Sequence, residues 1–215
     1  MRVSIITAYY KNEAMTEDWL DNIKDKVGND DEIIVVNAGS SPIGIHKYEL
    51  PIVRQDLVKN ESFSNSMNAG LKLAEGDYVC IIGNDTFPVE KDWLDRLIAK
   101  QQETGAAIVA PVPDNPPLET YDRLKLQDGS YFMFPAICWL MPKSTIKNVG
   151  LFDEKYKVGT YEDNDFCDRV RNLGGKIIVD DRTHVHHLLS QTMKFFNIRE
   201  VMHKNHKIYQ GETDD

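Results

Sequence analysis

Residues 63–97 read FSNSMNAGLKLAEGDYVCIIGNDTFPVEKDWLDRL, and the order of elements in this stretch decides the fold. Residues 64–75 read as a helix, stopped by Gly76. Residues 77–82 carry the apolar run VCII, the signature of a strand buried on both faces. Gly83-Asn84-Asp85-Thr86 forms a polar loop, and Trp93, Leu94, Leu97 and Ile98 fall at helical spacing beyond it. Helix, strand, loop and helix with short connections build a mostly parallel sheet flanked by helices, an α/β architecture.

The same alternation extends outward. Upstream, 3–8 (VSIITA) is a strand, and 13–27 is a helix with Trp19, Leu20 and Ile23 on one face, ended by Gly28-Asn29. A second strand at 32–36 closes on the turn formers Asn37-Ala38-Gly39-Ser40-Ser41-Pro42, and 51–54 is a short third strand. Downstream, 106–110 is another strand. Pro111, Pro113, Pro116 and Pro117 then mark an irregular segment, because proline is rejected by helix interiors and central strands. Residues 130–141 read as a strand or hairpin arm, 143–149 as a short helix, and 161–173 as a helix stopped by Gly174-Gly175. The last strand is expected at 176–179 and a closing helix at 193–209, while the polar, acidic end from Gly211 to Asp215 reads as disordered. No linker or repeat divides the chain. A single domain over 1–215 is expected, with a nucleotide-binding half at about 1–110 and an acceptor-facing half at about 111–215.

Composition narrows the function. With 25 Lys+Arg against 34 Asp+Glu, the formal net charge is -9. Nucleic acid is disfavoured as a partner, since such binding draws on clustered positive charge. An acidic cleft is instead a natural seat for a divalent cation. Cys80, Cys138 and Cys167 lack metal-ligand spacing and read as buried thiols of a reducing compartment. The N-terminus lacks the apolar length and cleavage signature of a signal peptide, and no stretch approaches the about 20 apolar residues of a membrane span. A soluble, cytoplasmic protein is expected.

Ligands of open parallel sheets sit beyond the carboxyl ends of the strands. Three polar clusters fall there: Thr7-Ala8-Tyr9-Tyr10, Asn37-Ala38-Gly39-Ser40 and Asn84-Asp85-Thr86. Each alone suits a turn; together on one sheet edge they mark a site. Asp85 emerges from its apolar strand as a hard oxygen ligand, suited to Mn2+ or Mg2+ held between protein and diphosphate. Tyr161-Glu162-Asp163-Asn164-Asp165 puts three acids in four positions at a helix start. Acids there complement the helix dipole, and one of them can also act as a general base on an acceptor hydroxyl. In Thr183-His184-Val185-His186-His187, His184 and His186 share one face of an extended segment and His187 takes the other.

These residues resemble the inverting glycosyltransferases of family 2, which have the GT-A fold. The opening VSIITAYYKNE, the segment IIVVNAGSS, the stretch from 63 to 97, and VGLFDEKYKVGTYEDNDFCDRVRNLGGKIIVDDRTHVHH match the family's motifs in order, over nearly the whole chain. The resemblance implies that Asp85 is the last aspartate of the family's D-x-D metal motif. Asn84 stands at its centre, and Gly83 replaces the first aspartate. It further implies Asp163 as general base with Glu162 beside it near the acceptor, and His187 as completing the metal shell, with His186 as the alternative. Thr7, Ala8, Tyr9 and Asn37 would border the nucleoside, with Asn68 supporting that pocket. Asn37 replaces the family's aspartate, and its side-chain carbonyl can still accept a pyrimidine N–H.

The implied reaction moves a hexose or deoxyhexose from a nucleotide-sugar donor, UDP- or dTDP-linked by preference, to an acceptor hydroxyl. The acceptor stays open among glycan, lipid-linked oligosaccharide, protein and small molecule. The chain is short for the family and reads as a minimal form, a fragment or a module of a larger enzyme; a homo-oligomer is equally open. Two rivals remain. The incomplete metal motif suits a catalytically weak nucleotide-sugar binding protein. A nucleotidyltransferase shares the architecture, but TAYYKNE lacks the glycine-rich loop of that class.

Overall fold

The computed structural model describes residues 1–212, so the expectation for 213–215 lies outside the described residues. The chain runs β1 (Val3–Tyr9), α1 (Glu13–Ile23), β2 (Glu32–Ala38), β3 (Ile52–Leu57), α2 (Phe63–Leu73), β4 (Tyr78–Ile82), β5 (Thr86–Pro88), α3 (Trp93–Thr104), β6 (Ile108–Pro113), β7 (Cys138–Pro142), α4 (Lys143–Val149), α5 (Glu162–Asn172), β8 (Ile177–His187) and α6 (Ile198–Tyr209). One sheet of order β3-β2-β1-β4-β7-β6-β8-β5 joins all the strands. β3, β2, β1 and β4 run parallel, as do β6 and β8. β7 is antiparallel to β4 and β6, and β5 is antiparallel to β8.

Alternation along the strands sends apolar side chains to two cores. Ile5, Ile33, Val35 and Cys80 meet Trp19, Leu20 and Ile23 of α1 and Trp93 and Leu97 of α3 on one face. Ile6, Ile34, Val36 and Ile81 meet Met67 and Leu71 of α2, and Phe166 and Val170 of α5, on the other. A strand covered on both sides has no polar face, which is why VSIITA and VCII read as continuous apolar runs. At Gly70 the helix lies so close to β1 that a Cβ would stand 2.4 Å from Ile6 Cγ2.

Several boundaries differ from the sequence expectation. The first helix stops at Ile23 rather than Val27: the Trp93 indole N–H takes the Lys26 carbonyl, and Asp31 Oδ2 accepts the Gly28 N–H. Thr86, expected in a loop, begins β5. Of the expected arm at 130–141 only the end is strand, as β7 over Cys138–Pro142; Tyr131 and Phe134 instead pack as aromatic plugs in the second core. The last strand continues eight residues past Val179, because Asp180 satisfies Thr183 Oγ1 and Arg182 Nε within the chain while β5 and β6 supply backbone partners. The closing helix starts at Ile198; residues Gln191–Phe195 form a 3-10 turn before it. Among the described residues, no helix is long and apolar enough to cross a membrane.

Candidate active site

The carboxyl ends of β1, β2 and β4, the N-termini of α2 and α5, and the end of β8 surround one cavity of about 300 Å³. Ala8, Tyr9, Asn84, Asp85, Glu162, Asp163 and His187 all line it. The post-strand carboxylate and the helix-start acids therefore face a shared space, though 77 positions separate Asp85 from Glu162 in sequence.

Asp85 is 9% exposed. Its Oδ2 accepts the Gln191 backbone N–H at 2.9 Å, and its Oδ1 lies 3.9 Å from His187 Nε2. His187 Nδ1 stands 2.8 Å from the Asn115 carbonyl, which can only accept. That contact puts the ring proton on Nδ1 and leaves the Nε2 lone pair toward Asp85. An oxygen and an imidazole nitrogen 3.9 Å apart are too distant to hydrogen-bond and suited to share one cation at about 2.0–2.2 Å from each. The pair thus fits Mn2+ or Mg2+. Among the described residues no group of three or more His, Cys, Asp or Glu is placed to hold a metal, so further ligands would come from donor phosphate and water. A Cβ at Gly83 would meet Asp85 Oδ1 at 2.6 Å; a first aspartate at that position would displace the carboxylate that remains. His184 and His186 are exposed on the opposite face of β8, paired with Glu90 and Asp114.

Across the cavity, Glu162 is 6% exposed and Asp163 is half-buried. The Thr160 N–H donates to Glu162 Oε2, and the Asn164 N–H donates to Asp163 Oδ1 at 2.9 Å. Burial, with the Asp163 charge next, pushes the Glu162 carboxyl up to about 8. Burial also raises Asp163, against hydrogen bonds from the Asn164 and Ala136 backbone. Near neutral pH Glu162 therefore keeps its proton, and the Asp163 charge beside it is one of the causes.

Three of the expected residues do not border the cavity. Thr7 is wholly buried, and its hydroxyl finds no partner among the described residues. Asn37 Nδ2 donates to Asp56 Oδ1 and to the Ser40 carbonyl, both at 2.9 Å, while its Oδ1 accepts the Ser40 N–H at 2.8 Å. Its polar atoms close the turn after β2. Asn68 pins α2 to the chain after α4, exchanging hydrogen bonds with both backbone groups of Phe152 at 2.9 Å and donating to Glu154 at 2.8 Å. Asn84, though at the cavity wall, turns its amide N–H to Thr16 Oγ1 at 2.9 Å. The sequence reading missed Phe63, Met67, Thr160, Ser190, Thr192 and Met193, which also line the cavity. The polar run Ser190-Gln191-Thr192, separated from the histidines by Leu188 and Leu189, was the available signal.

Residues 4–161 match the family described as glycosyl transferase family 2. No curated protein sequence is similar enough to match the chain. Among solved structures, the fold is similar to a mannosyltransferase from Pyrobaculum calidifontis in complex with GDP-Man and Mn2+, with TM-score 0.76 and 17% identity over 88% of this chain and 57% of that one. It is also similar to S. aureus TarS 1-349 (TM-score 0.72, 20% identity, 87% of this chain and 60% of that one). GalNAc-T7 with UDP, GalNAc and Mn2+ aligns at TM-score 0.68 and 11% identity, over 87% of this chain and 44% of the other. The chain thus spans between 44% and 60% of the length of these structures. With the family matched over most of its length and a GT-A architecture, the chain belongs to glycosyl transferase family 2.

Proposed function

We propose that the protein is an inverting glycosyltransferase that moves a sugar from a nucleotide diphosphate donor, UDP- or dTDP-linked by preference, to an acceptor hydroxyl. The observation that carries this reading is the single cavity bordered by Asp85 and His187 on one wall and Glu162 and Asp163 on the other. The GDP-Man and Mn2+ of one similar structure, and the UDP and Mn2+ of another, support a nucleotide-linked donor and a divalent ion. Asp85 and His187 would hold that ion, which when bound supplies positive charge beside the departing diphosphate. The donor side is assigned to the first half of the chain, about 1–110, and the acceptor side to the second, about 111–215.

Asp163 is assigned the general base. As the acceptor oxygen forms its bond to the anomeric carbon, its proton passes to Asp163 and the bond to the diphosphate oxygen breaks, with its electron pair leaving on the phosphate. Attack opposite the leaving group inverts the anomeric centre. A raised carboxyl pKa improves the match between the base and a hydroxyl proton, and protonated Glu162 beside it removes a competing charge. The three unbridged cysteines support the reducing, cytoplasmic setting expected for the chain.

The test is Asp163→Asn. Turnover is expected to fall by about 10² to 10⁴ while UDP binding in Mn2+, read by calorimetry, stays within about twofold. Unchanged turnover ends the assignment of the base.

A further inference from the structure

Asn205 sits on α6, 1% exposed, and does not border the cavity. Its whole carboxamide grips one loop. Nδ2 lies 2.9 Å from the Lys157 carbonyl, 3.1 Å from the Thr160 carbonyl and 3.1 Å from Thr160 Oγ1. Oδ1 accepts the Lys157 N–H at 3.3 Å. Two N–H hydrogens thus serve three acceptors, and the carbonyl serves a fourth partner.

The gripped loop adopts a backbone that side chains resist. Val158, Thr160 and Tyr161 have φ of 66, 130 and 67. Non-glycine residues hold such angles only where their surroundings impose them, and strain of this kind gathers at functional sites. From the α2 side, the Phe63 N–H donates to the Val158 carbonyl at 2.7 Å, and the Val158 N–H to the Glu61 carbonyl at 3.3 Å. From the α6 side the loop is held by Asn205. Tyr161 is packed there as well, 5.2 Å from His206 and 5.4 Å from Tyr209 between ring centroids. The strained segment leads straight into the acid pair. Val158 and Thr160 line the cavity, and the Thr160 N–H points at Glu162 Oε2.

We propose that Asn205 is a positioning residue for sugar transfer, fixing Thr160 from behind so that its N–H aims Glu162 and keeps the Glu162–Asp163 pair on the cavity wall. The inference rests on the transferase reading above. Without the carboxamide, Thr160 loses the contacts to its carbonyl and hydroxyl. The backbone is then free to relax, and the Thr160 N–H turns off the Glu162 carboxyl oxygen. Asn205 touches no substrate; its effect travels through Thr160.

The experiment uses the full chain with Asn205→Ala and the isosteric Asn205→Asp, which keeps an acceptor for the Lys157 N–H and loses both donors. The first readout needs no substrate: the Thr160 amide proton in ¹⁵N-labelled protein. An N–H donating to a carboxyl oxygen resonates downfield, and in both variants this signal is expected to move upfield. The second readout is UDP release from UDP-glucose with Mn2+. Here kcat is expected to fall by about 10- to 100-fold, with KM for UDP-glucose within about twofold. A merely structural role would instead lower the amount of folded protein and leave kcat per folded molecule intact. Should both variants fail to fold, Thr160→Val, which deletes just one of the contacts, is expected to show the same amide displacement in smaller degree. An unmoved Thr160 amide, or an unchanged kcat in a folded variant that has lost that amide signal, overturns the proposal. A wild-type protein inert toward UDP-glucose counts against the donor preference, and the amide displacement then decides the role of Asn205.

Discussion

Replacing Glu162 by Gln tests the electrostatics of the cavity without any substrate. Glu162 is buried, and its carboxyl is pushed from 4.5 up to about 8 by that burial and by the Asp163 charge. Below about pH 4.5 the folded and unfolded chains both keep the proton, so the residue carries no pH-dependent penalty. Between 4.5 and 8 the unfolded chain releases a proton that the folded chain retains. Stability therefore declines as pH rises, by about 1.4 kcal/mol per pH unit for this one group. Above about pH 8 the loss is complete, at on the order of 5 kcal/mol. The carboxamide introduced by Glu162→Gln would keep an oxygen to accept the Thr160 N–H and would never ionise. Urea unfolding of both proteins from pH 4.5 to 9 reads the difference directly. The advantage of Glu162→Gln over wild type should grow across that window and level off near pH 8. In melting temperature it should reach about 10–20 °C for a chain of this size. A stability difference that stays flat with pH, within about 0.5 kcal/mol, would show that Glu162 ionises normally and would refute its retention of a proton in the folded chain.

Asp85→Asn should weaken UDP binding in Mn2+ by about tenfold or more and leave binding in EDTA unchanged, since a neutral amide is a poorer cation ligand; equal weakening in both buffers would point to a direct role on the nucleotide. Asn68→Ala should lower stability by about 2–4 kcal/mol, because it strands both backbone groups of Phe152 in the interior. Its UDP affinity should not change, and a selective loss of affinity would return Asn68 to the binding pocket. Gly70→Ala should cost about 1–3 kcal/mol as Ile6 is forced from its place between α2 and β1, and an unaltered unfolding midpoint would contradict the close approach.

The parallel half of the fold was readable because its signals are local. Trp19, Leu20 and Ile23 repeat at the helical period, β4 is apolar throughout, and β1 is apolar but for Ser4 and Thr7. Those signals also place Asp85, since a carboxylate directly after such a strand has to leave at the sheet edge. The far side was harder. Asp180, Asp181 and Arg182 interrupt any apolar pattern, yet β8 runs through them on hydrogen bonds between its own side chains. β5 has three residues, too few to show a period, and its existence depends on the extended β8. Glu162 and Asp163 stood out as acids in a row, whereas the strained backbone leading to them is held by α6, packed from some 40 positions downstream. Asn205 gave no sign of its own, because a lone asparagine on a helix reads like any exposed polar residue. Asn37 and Asn68 drew attention through the family resemblance, but hydrogen bonds to Asp56 and Phe152 direct their side chains elsewhere.

The contact between Asn37 and Asp56 constrains how this chain can change. An amide N–H at position 37 stands 2.9 Å from the Asp56 carboxylate on the neighbouring strand, and Arg54 holds the other oxygen of Asp56 at 3.1 Å. Restoring an aspartate at 37 by itself would set two anions face to face at that spacing. Either one would have to stay protonated or the turn after β2 would have to open. A return to the family's residue is accessible only if position 56 gives up its charge at the same step, so the two sites form a linked pair in which neither mutates freely.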